Sequence, residues 1–335
     1  MMRASVFLFL PMMQTACEAV RLMSQWKVIM EFNLKAEVRD GYAVSAEMKK
    51  IWQTELDLLQ RFIDFCKANT LQCWLDGGTL LGAVRHHGFI PWDDDVDVVM
   101  PRADYDRMLQ LAPQWFEPPY FLQSAYTDKD YYRGHAQLRN SATAAIRPSD
   151  SFQPFNQGIF IDIFVLDAVP VNEVSRKRLV HDVRKMLRFL KAKNTAILAS
   201  GRLGLVFRKL KCRYMVHKYG WVTLYRRVED ELRATPWNDC RQVAELAFSG
   251  DEILFDKHIF DRTVWIDFEY IKAPVVEDFD TFLRTQYGDD YMTPVKAPSY
   301  HGELVFSTTQ SYRELLPAVR RSYRMSVFRR LLKKL

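Results

Sequence analysis

The most constraining feature of the sequence is the stretch DGGTLLGAVRHHGFIPWDDDVDVVMPR, residues 76–102, in which four aspartates fall within five positions. They are Asp93, Asp94, Asp95 and Asp97, and an apolar run follows them directly. Neighbouring carboxylates repel one another, and a buried carboxylate is costly unless it is paired or bound to a metal. The segment therefore requires either bulk water or a cation beside it.

The composition is that of an ordinary globular protein, and its charge is unevenly distributed. The 335 residues, 48% of them hydrophobic, suffice for one large domain or two modest ones. The net charge is +6, yet residues 175–218 hold 14 Lys and Arg against one acid, and residues 311–335 hold eight against one. These two segments are either solvated helix faces or surfaces that attract an anionic partner, such as phosphate-rich glycan, anionic lipid or nucleic acid.

The cysteines and the N-terminal residues favour a cytoplasmic location. The five cysteines contain no C-x-x-C pair, so we expect reduced thiols rather than a zinc cluster or disulfides. The run ASVFLFLPMM resembles a short signal-peptide core, but Pro11 interrupts it. We interpret residues 1–42 as an N-terminal leader whose folding the sequence leaves open. No apolar run reaches about 18 residues, so no transmembrane helix is predicted.

Hydrophobic periodicity predicts an α/β fold. From Ser45 the pattern SAEMKKIWQTELDLLQRFIDFCKAN is that of an amphipathic helix ending near Asn69. The segments LQCWLDGG, DVDVVMP and GIFIDIFVLDAVP have the pattern of strands, and ADYDRMLQLA that of a helix between two of them. We therefore expect strands and helices mixed around a sheet. The basic range 175–225 is predicted to be helical.

The spacing of the aspartates divides them into two groups. On a strand, Asp95 and Asp97 point to the same face, where two carboxylates can share a hard divalent cation. Asp93 lies two residues earlier and is expected on the same side, whereas Asp94 is expected to point away into solvent. A pair of aspartates alone is a weak signal, because the spacing D-x-D occurs by chance in many sheets.

Two glycines and a further carboxylate strengthen the hypothesis of a site. Gly77 and Gly78 end a predicted strand, where they let the backbone approach a ligand, and the following helix N-terminus offers free N–H groups to phosphate. Thr79 supplies a hydroxyl at the same place. Asp162 is one polar residue in an otherwise apolar strand, either structural or a third metal ligand. A strand, two glycines, a helix and a strand bearing D-x-D are typical of the nucleotidyltransferase fold.

Two arginines are candidate phosphate ligands. Arg85 follows the glycine turn and can neutralise a pyrophosphate or, alternatively, pair with the aspartates. Arg139, in QLRNS, can contact phosphate or lie on the surface.

At this point a family resemblance emerges. The stretch LDGGTLLGAVRHHGFIPWDDDVDVVMPRADYDRML resembles the LicD family, which includes bacterial phosphocholine transferases and is similar to the fukutin-related protein. The resemblance continues in SAEMKKIWQTELDLL, QLRNSATAAI, GIFIDIFVLDAVP and DFDTFLRTQYGDDYMTP, over about residues 43–300. It implies a nucleotidyltransferase-like mixed sheet flanked by helices, with residues 43–310 as the catalytic domain and residues 175–225 as a basic helical insertion.

The resemblance also implies a reaction. LicD-like enzymes transfer a phosphorylated alcohol, such as phosphocholine, from a CDP-activated donor to a hydroxyl of a cell-surface glycan (lipopolysaccharide, teichoic acid or capsule), and release CMP. It assigns Mg²⁺ or Mn²⁺ to Asp95, Asp97 and Asp162, with Asp93 as a further ligand. Asp162 is the candidate acceptor of the hydroxyl proton.

Two other functions remain open. The chain can transfer a nucleoside monophosphate to a small molecule or protein, or it can be a non-catalytic relative that keeps the fold. No nucleic-acid partner is expected, because the positive charge lies outside the motif and lacks interleaved aromatic residues.

The C-terminal segment, residues 311–335, is predicted to be a basic amphipathic tail. Such a helix can lie in a membrane interface, here the inner face of the plasma membrane, or dock on its own domain. Its predicted apolar face consists of Val327, Phe328, Leu331, Leu332 and Leu335.

Overall fold

The computed structural model describes residues 32–194, 203–295 and 304–332. Its helices are α1 (Ala46–Ala68), α2 (Gly77–His86), α3 (Arg102–Trp115), α4 (Glu173–Lys191), α5 (Leu203–Tyr219), α6 (Trp221–Leu232), α7 (Phe279–Tyr287) and α8 (Tyr312–Leu332). Its strands are β1 (Glu37–Arg39), β2 (Tyr42–Val44), β3 (Trp74–Leu75), β4 (Asp97–Pro101), β5 (Tyr120–Gln123), β6 (Ala136–Asn140), β7 (Ala144–Ile146), β8 (Ile159–Ala168), β9 (Gln242–Ala244), β10 (Phe255–Asp256), β11 (Thr263–Phe268), β12 (Ile271–Val276) and β13 (Val305–Ser307).

A mixed sheet forms the centre of the fold, which confirms the predicted α/β class. Its strands run in the order β10-β9-β8-β4-β3, and β6 pairs with both β8 and β5. Only the β4–β8 pair of this sheet is parallel among the described strands. Every residue of β8 is buried, as expected for a strand whose near-continuous apolar sequence is covered on both faces.

Helix α1 forms much of the core, as its periodicity predicts. The Ser45 hydroxyl accepts the N–H of Met48 at 3.0 Å and so begins the helix. Trp52, Leu56 and Phe62 are fully buried on its inner face. The helix therefore derives its stability from burying one apolar stripe.

The folded unit includes residues that precede the predicted catalytic domain. Residues 1–31 of the predicted leader lie outside them, but β1 and β2, which begin within the leader's predicted range, form an antiparallel hairpin. Arg39 of this hairpin pairs with Glu269, so the folded unit includes residues that we assigned to the leader. Within the basic range 175–225 the structure has α4, α5 and the start of α6, while residues 195–202 lie outside the described part.

The C-terminal helix α8 docks on its own domain along its first half. Tyr312 and Val319 are buried against β7, and the Arg320 guanidinium donates to the carbonyl oxygen of Ser151 at 2.6 and 2.8 Å. Of the predicted apolar face, Val327 is buried and Phe328 is exposed. Leu335 lies outside the described residues. No helix in the described ranges combines the length and apolarity needed to cross a bilayer.

Candidate active site

Two aspartates lie side by side on neighbouring strands at the centre of the sheet. Asp97 begins β4 and stands in register with Asp162 of the parallel strand β8. Neighbouring strands lie about 4.8 Å apart, so two carboxylates in this arrangement can reach one ion. Burial, reinforced by Asp95 and then Asp162, raises the pKa of Asp97 well above its usual value. The sequence predicted this pair of candidate ligands without their register.

The glycine turn lies directly against the same carboxylates. Gly77 begins α2 with φ of +54°, and a Cβ at this position would lie 3.2 Å from Asp97 Oδ2. A Cβ at Gly78 would lie 2.6 Å from Asp93 Oδ2. The acids thus occupy the space that side chains would need, and the first turn of α2 faces them with its N–H groups.

Thr79 contacts the backbone of Asp97. Its Oγ1 accepts the backbone N–H of Asp97 at 2.8 Å, and the residue is 4% exposed. A hydroxyl that accepts one hydrogen bond can still donate its own hydrogen, so the contact of Thr79 with the donor stays a prediction. The structure adds a second role, in which Thr79 positions Asp97.

The segment before β4 departs from the predicted alternation. Residues 93–96 are irregular, and the strand begins only at Asp97. The carboxylates of Asp93, Asp94 and Asp95 each offer an oxygen within 4.8 Å of the others. The prediction that Asp94 points away is wrong, because a period of two applies only to extended chain.

Asp162 is held by polar side chains of the neighbouring strand. Gln137 of β6, its register partner, donates from Nε2 to Asp162 Oδ1. His135 Nε2 lies 2.9 Å from the same oxygen. Asp162 is 1% exposed, so the hydrogen bond from Gln137 fixes the direction of its carboxylate. The sequence analysis did not single out Gln137 or His135.

Arg139 supports this arrangement from within the protein interior. Its guanidinium, 2% exposed, donates to the side chains of Gln123 and Gln137 and to the carbonyl of Gly158. Burial lowers the pKa of Arg139 to about 10. The predicted phosphate contact is therefore wrong, because each of the three guanidinium nitrogens is buried and donates to a protein acceptor. Through Gln137 the guanidinium acts on Asp162.

The carboxylate oxygens of this site suit a hard divalent cation. Asp97 Oδ1 is buried and makes no hydrogen bond within the described part of the chain. A buried carboxylate oxygen without a partner is costly, and a metal ion would satisfy it. Oxygen ligands from several carboxylates are those that Mg²⁺ and Mn²⁺ prefer.

The comparison with protein families agrees with this arrangement. Residues 70–191 match the family described as LicD/FKTN/FKRP, nucleotidyltransferase domain. Residues 70–191 are therefore similar to this nucleotidyltransferase domain. The match includes α2, β4 and β8, the elements that carry the glycines and the aspartates.

Three relatives show how far the similarity extends. The lipopolysaccharide cholinephosphotransferase LicD of Haemophilus influenzae is 27% identical over 268 residues, which cover 73% of this chain and 93% of the relative. Mannosyltransferase regulator 4 of Saccharomyces cerevisiae is 30% identical over 122 residues, 34% of this chain and 10% of its own length. The human ribitol 5-phosphate transferase FKRP is 47% identical over 45 residues, 13% of this chain and 9% of its own.

Arg85 links α2 to the C-terminal motif, which is the segment DFDTFLRTQYGDDYMTP at residues 278–294. Its Nη1 donates to the carbonyl oxygens of Tyr291 at 2.8 Å and Thr293 at 3.4 Å, and burial lowers the pKa of Arg85. In the described structure it makes no ion pair with the aspartates, the alternative that its sequence position suggested. Tyr287 of the same motif brings its hydroxyl within 3.8 Å of the Cβ position of Gly77.

Helix α1 contributes a carboxylate that the sequence analysis missed. Glu55 is 1% exposed, and its Oε2 has no hydrogen-bond partner among the residues that the structure describes. Burial, together with Asp95, Asp94 and Asp93, raises the pKa of Glu55 well above its usual value. One turn earlier, Trp52 Nε1 donates to the carbonyl of Asp93 at 2.9 Å. The available signal was a single acid on an otherwise apolar helix face.

A cavity of about 500 Å³ lies at the other end of β4 and β8, away from Asp97 and Asp162. Its wall includes Arg102, which pairs with Asp167 at 2.7 and 3.0 Å. Because Asp97 and Asp162 lie at the opposite ends of these strands, the cavity does not define the candidate active site.

Proposed function

We propose that the chain is a metal-dependent phosphotransferase that moves a phosphorylated alcohol from a CDP-linked donor to a hydroxyl of a cell-surface glycan. The carrying observation is that Asp97 and Asp162 lie side by side near the Gly77–Gly78 turn, and that one buried oxygen of Asp97 has no hydrogen-bond partner among the described residues. Relatives named as a cholinephosphotransferase and a ribitol 5-phosphate transferase support this class of reaction.

Donor binding follows from the same residues. Asp95, Asp97 and Asp162 would hold Mg²⁺ or Mn²⁺, with Asp93 beside them. The bound ion would neutralise charge on the pyrophosphate during transfer. The N–H groups in the first turn of α2 can bind phosphate oxygens, because the side chain of the N-cap residue, Asp76, makes no capping hydrogen bond in the described structure.

The transfer step needs positioning and one proton acceptor. The acceptor hydroxyl oxygen attacks the phosphorus that carries the alcohol, and the bond from this phosphorus to the bridging oxygen breaks. CMP leaves with the bonding electron pair. The hydroxyl proton passes to the carboxylate of Asp162, and the hydrogen bond from Gln137 fixes the direction of this carboxylate.

The test is an assay of CMP release with purified protein, magnesium, a glycan acceptor and CDP-choline, CDP-ribitol or CDP-glycerol as donor. We expect one donor to release CMP, and Asp97→Asn to abolish the release. Asp230→Asn, at a side chain 63% exposed on α6, is the matched control. Transfer of the nucleoside monophosphate to the acceptor would identify the nucleotidyltransferase alternative, and no turnover with any donor would contradict the proposal.

A further inference from the structure

Helix α5 exposes a row of large apolar side chains. Phe207 is 71% exposed, Leu210 57% and Tyr214 60%. They are three and four residues apart, so they lie on one face of the helix. Soluble proteins expose single apolar residues routinely, but a row of three along one helix is typical of an interaction site.

The opposite face of α5 packs against the protein, so the row points away from it. Cys212 is buried, with its Sγ 3.9 Å from the carbonyl of Leu190 in α4. Met215 and Val216 pack against the cluster that contains Leu190 and Leu224. The helix is therefore anchored by its own apolar contacts, and the row of Phe207, Leu210 and Tyr214 is a second apolar face.

Basic side chains surround the row. The sequence of α5, LGLVFRKLKCRYMVHKY, contains five Lys and Arg and no acid. Lys211 and Lys218 are exposed, and their spacing from Tyr214 places them on the same side of the helix. Arg208 and Arg213 are exposed at its flanks.

We propose that this face of α5 is a docking surface for an anionic lipid bilayer. Apolar side chains that enter the interface while lysine and arginine contact acidic headgroups are the arrangement of interfacial helices. A second copy of the chain fits less well, because two such faces would bring like charges together. A nucleic acid would neutralise the charges but leave Leu210 without an apolar environment.

In this proposal α5, rather than the C-terminal residues 311–335, is the basic segment that contacts the membrane. From the sequence, residues 311–335 were the candidate for this contact, with docking on the protein's own domain as the alternative. In the structure the first half of α8 packs on β7, and Arg320 donates to Ser151. Helix α5 exposes three large apolar residues in a row, whereas α8 exposes Met325 and Phe328. The inference does not depend on the proposed reaction.

The experiment is vesicle sedimentation of the full chain. We expect binding to vesicles of phosphatidylglycerol and phosphatidylcholine but not to phosphatidylcholine alone. The double variant Phe207→Ser with Leu210→Ser should lower the affinity by about tenfold or more, because two side chains leave the interface. Charge reversal at Lys211 and Lys218 should remove the preference for acidic lipid, and added salt should weaken wild-type binding.

Two single variants control for surface changes elsewhere. Val38→Ser, at a residue 74% exposed in β1, should bind vesicles like the wild type, and so should Phe328→Ser in α8. Thermal melting checks that every variant folds. The proposal is overturned if the wild type ignores anionic vesicles, if the Phe207/Leu210 variant binds as tightly as the wild type, or if Phe328→Ser alone abolishes binding. None of these outcomes depends on a donor or on CMP release, so they leave the proposed function untouched.

Discussion

The Asp93 carboxylate occupies the space that a side chain at Gly78 would need. A Cβ on Gly78 would come within 2.6 Å of Asp93 Oδ2, well inside the closest normal contact. The obstructing atom is the end of a flexible side chain, so an added methyl group would displace the carboxylate and leave the fold in place. The pair therefore allows the position of one acid to be changed without removing its charge.

Gly78→Ala should reduce activity more than stability. A displacement of about 1 Å at a catalytic group can cost about a hundredfold in rate, so we expect a fall of ten- to a hundredfold in kcat, with weaker Mg²⁺ binding by calorimetry. Gly220→Ala is the control, and we expect it to lower stability without lowering activity. Gly220 has φ of +81° and no catalytic group near it, so alanine should cost about 1 kcal/mol of stability and preserve kcat. Unchanged kcat and metal affinity in Gly78→Ala would refute the close packing as a functional constraint.

The hydroxyl of Thr79 provides a second test, of positioning rather than charge. Thr79→Val removes the acceptor of the Asp97 N–H and leaves that donor buried and unpaired, which costs about 1–3 kcal/mol. Denaturant unfolding should show this loss, and kcat should fall with it. Thr79→Ser keeps the oxygen and should restore both. If Val and Ser behave alike, the hydrogen bond at 2.8 Å does not hold Asp97.

Glu55 should give the metal-free protein a distinctive pH dependence. Burial and the neighbouring aspartates raise the folded-state pKa of Glu55 above its unfolded value near 4.5. The folded state thus binds the proton more tightly, so the contribution to stability is complete below that unfolded value and is lost as the pH rises toward the folded pKa. In EDTA, Tm should fall across this range, and Glu55→Gln should make the fall shallower.

The control for this titration lies on the same helix. Glu47 is exposed in the first turn of α1, so Glu47→Gln should leave the slope of Tm against pH unchanged. Excess Mg²⁺ should also reduce the wild-type slope, because the ion offsets the repulsion that raises the pKa. A slope that Glu55→Gln leaves intact would show that the Glu55 carboxyl does not titrate in this range.

The sequence predicted those parts of the site that local patterning determines. The glycine turn, the apolar strand around Asp162 and helix α1 all have periodicities that single segments reveal. The orientation of Asp94 was predicted wrongly, because alternation was extended into residues that precede the strand. Glu55 and Gln137 were missed because they approach the aspartates only after helix and sheet pack together. Contacts between distant segments leave no local period in a sequence.

Variants of Arg139 distinguish two roles of its guanidinium. It either contacts the donor phosphate or supports Asp162. If the guanidinium bound the donor phosphate, Arg139→Lys would mainly raise the KM for the CDP-alcohol. The structure instead has it donate to Gln123, Gln137 and Gly158. Lysine cannot make these three bonds in the same geometry, so we expect a fall in kcat with little change in KM. Gln137→Glu, which replaces the amide donor to Asp162 by a carboxyl, should reproduce that pattern, whereas a pure rise in KM in Arg139→Lys would restore the phosphate contact.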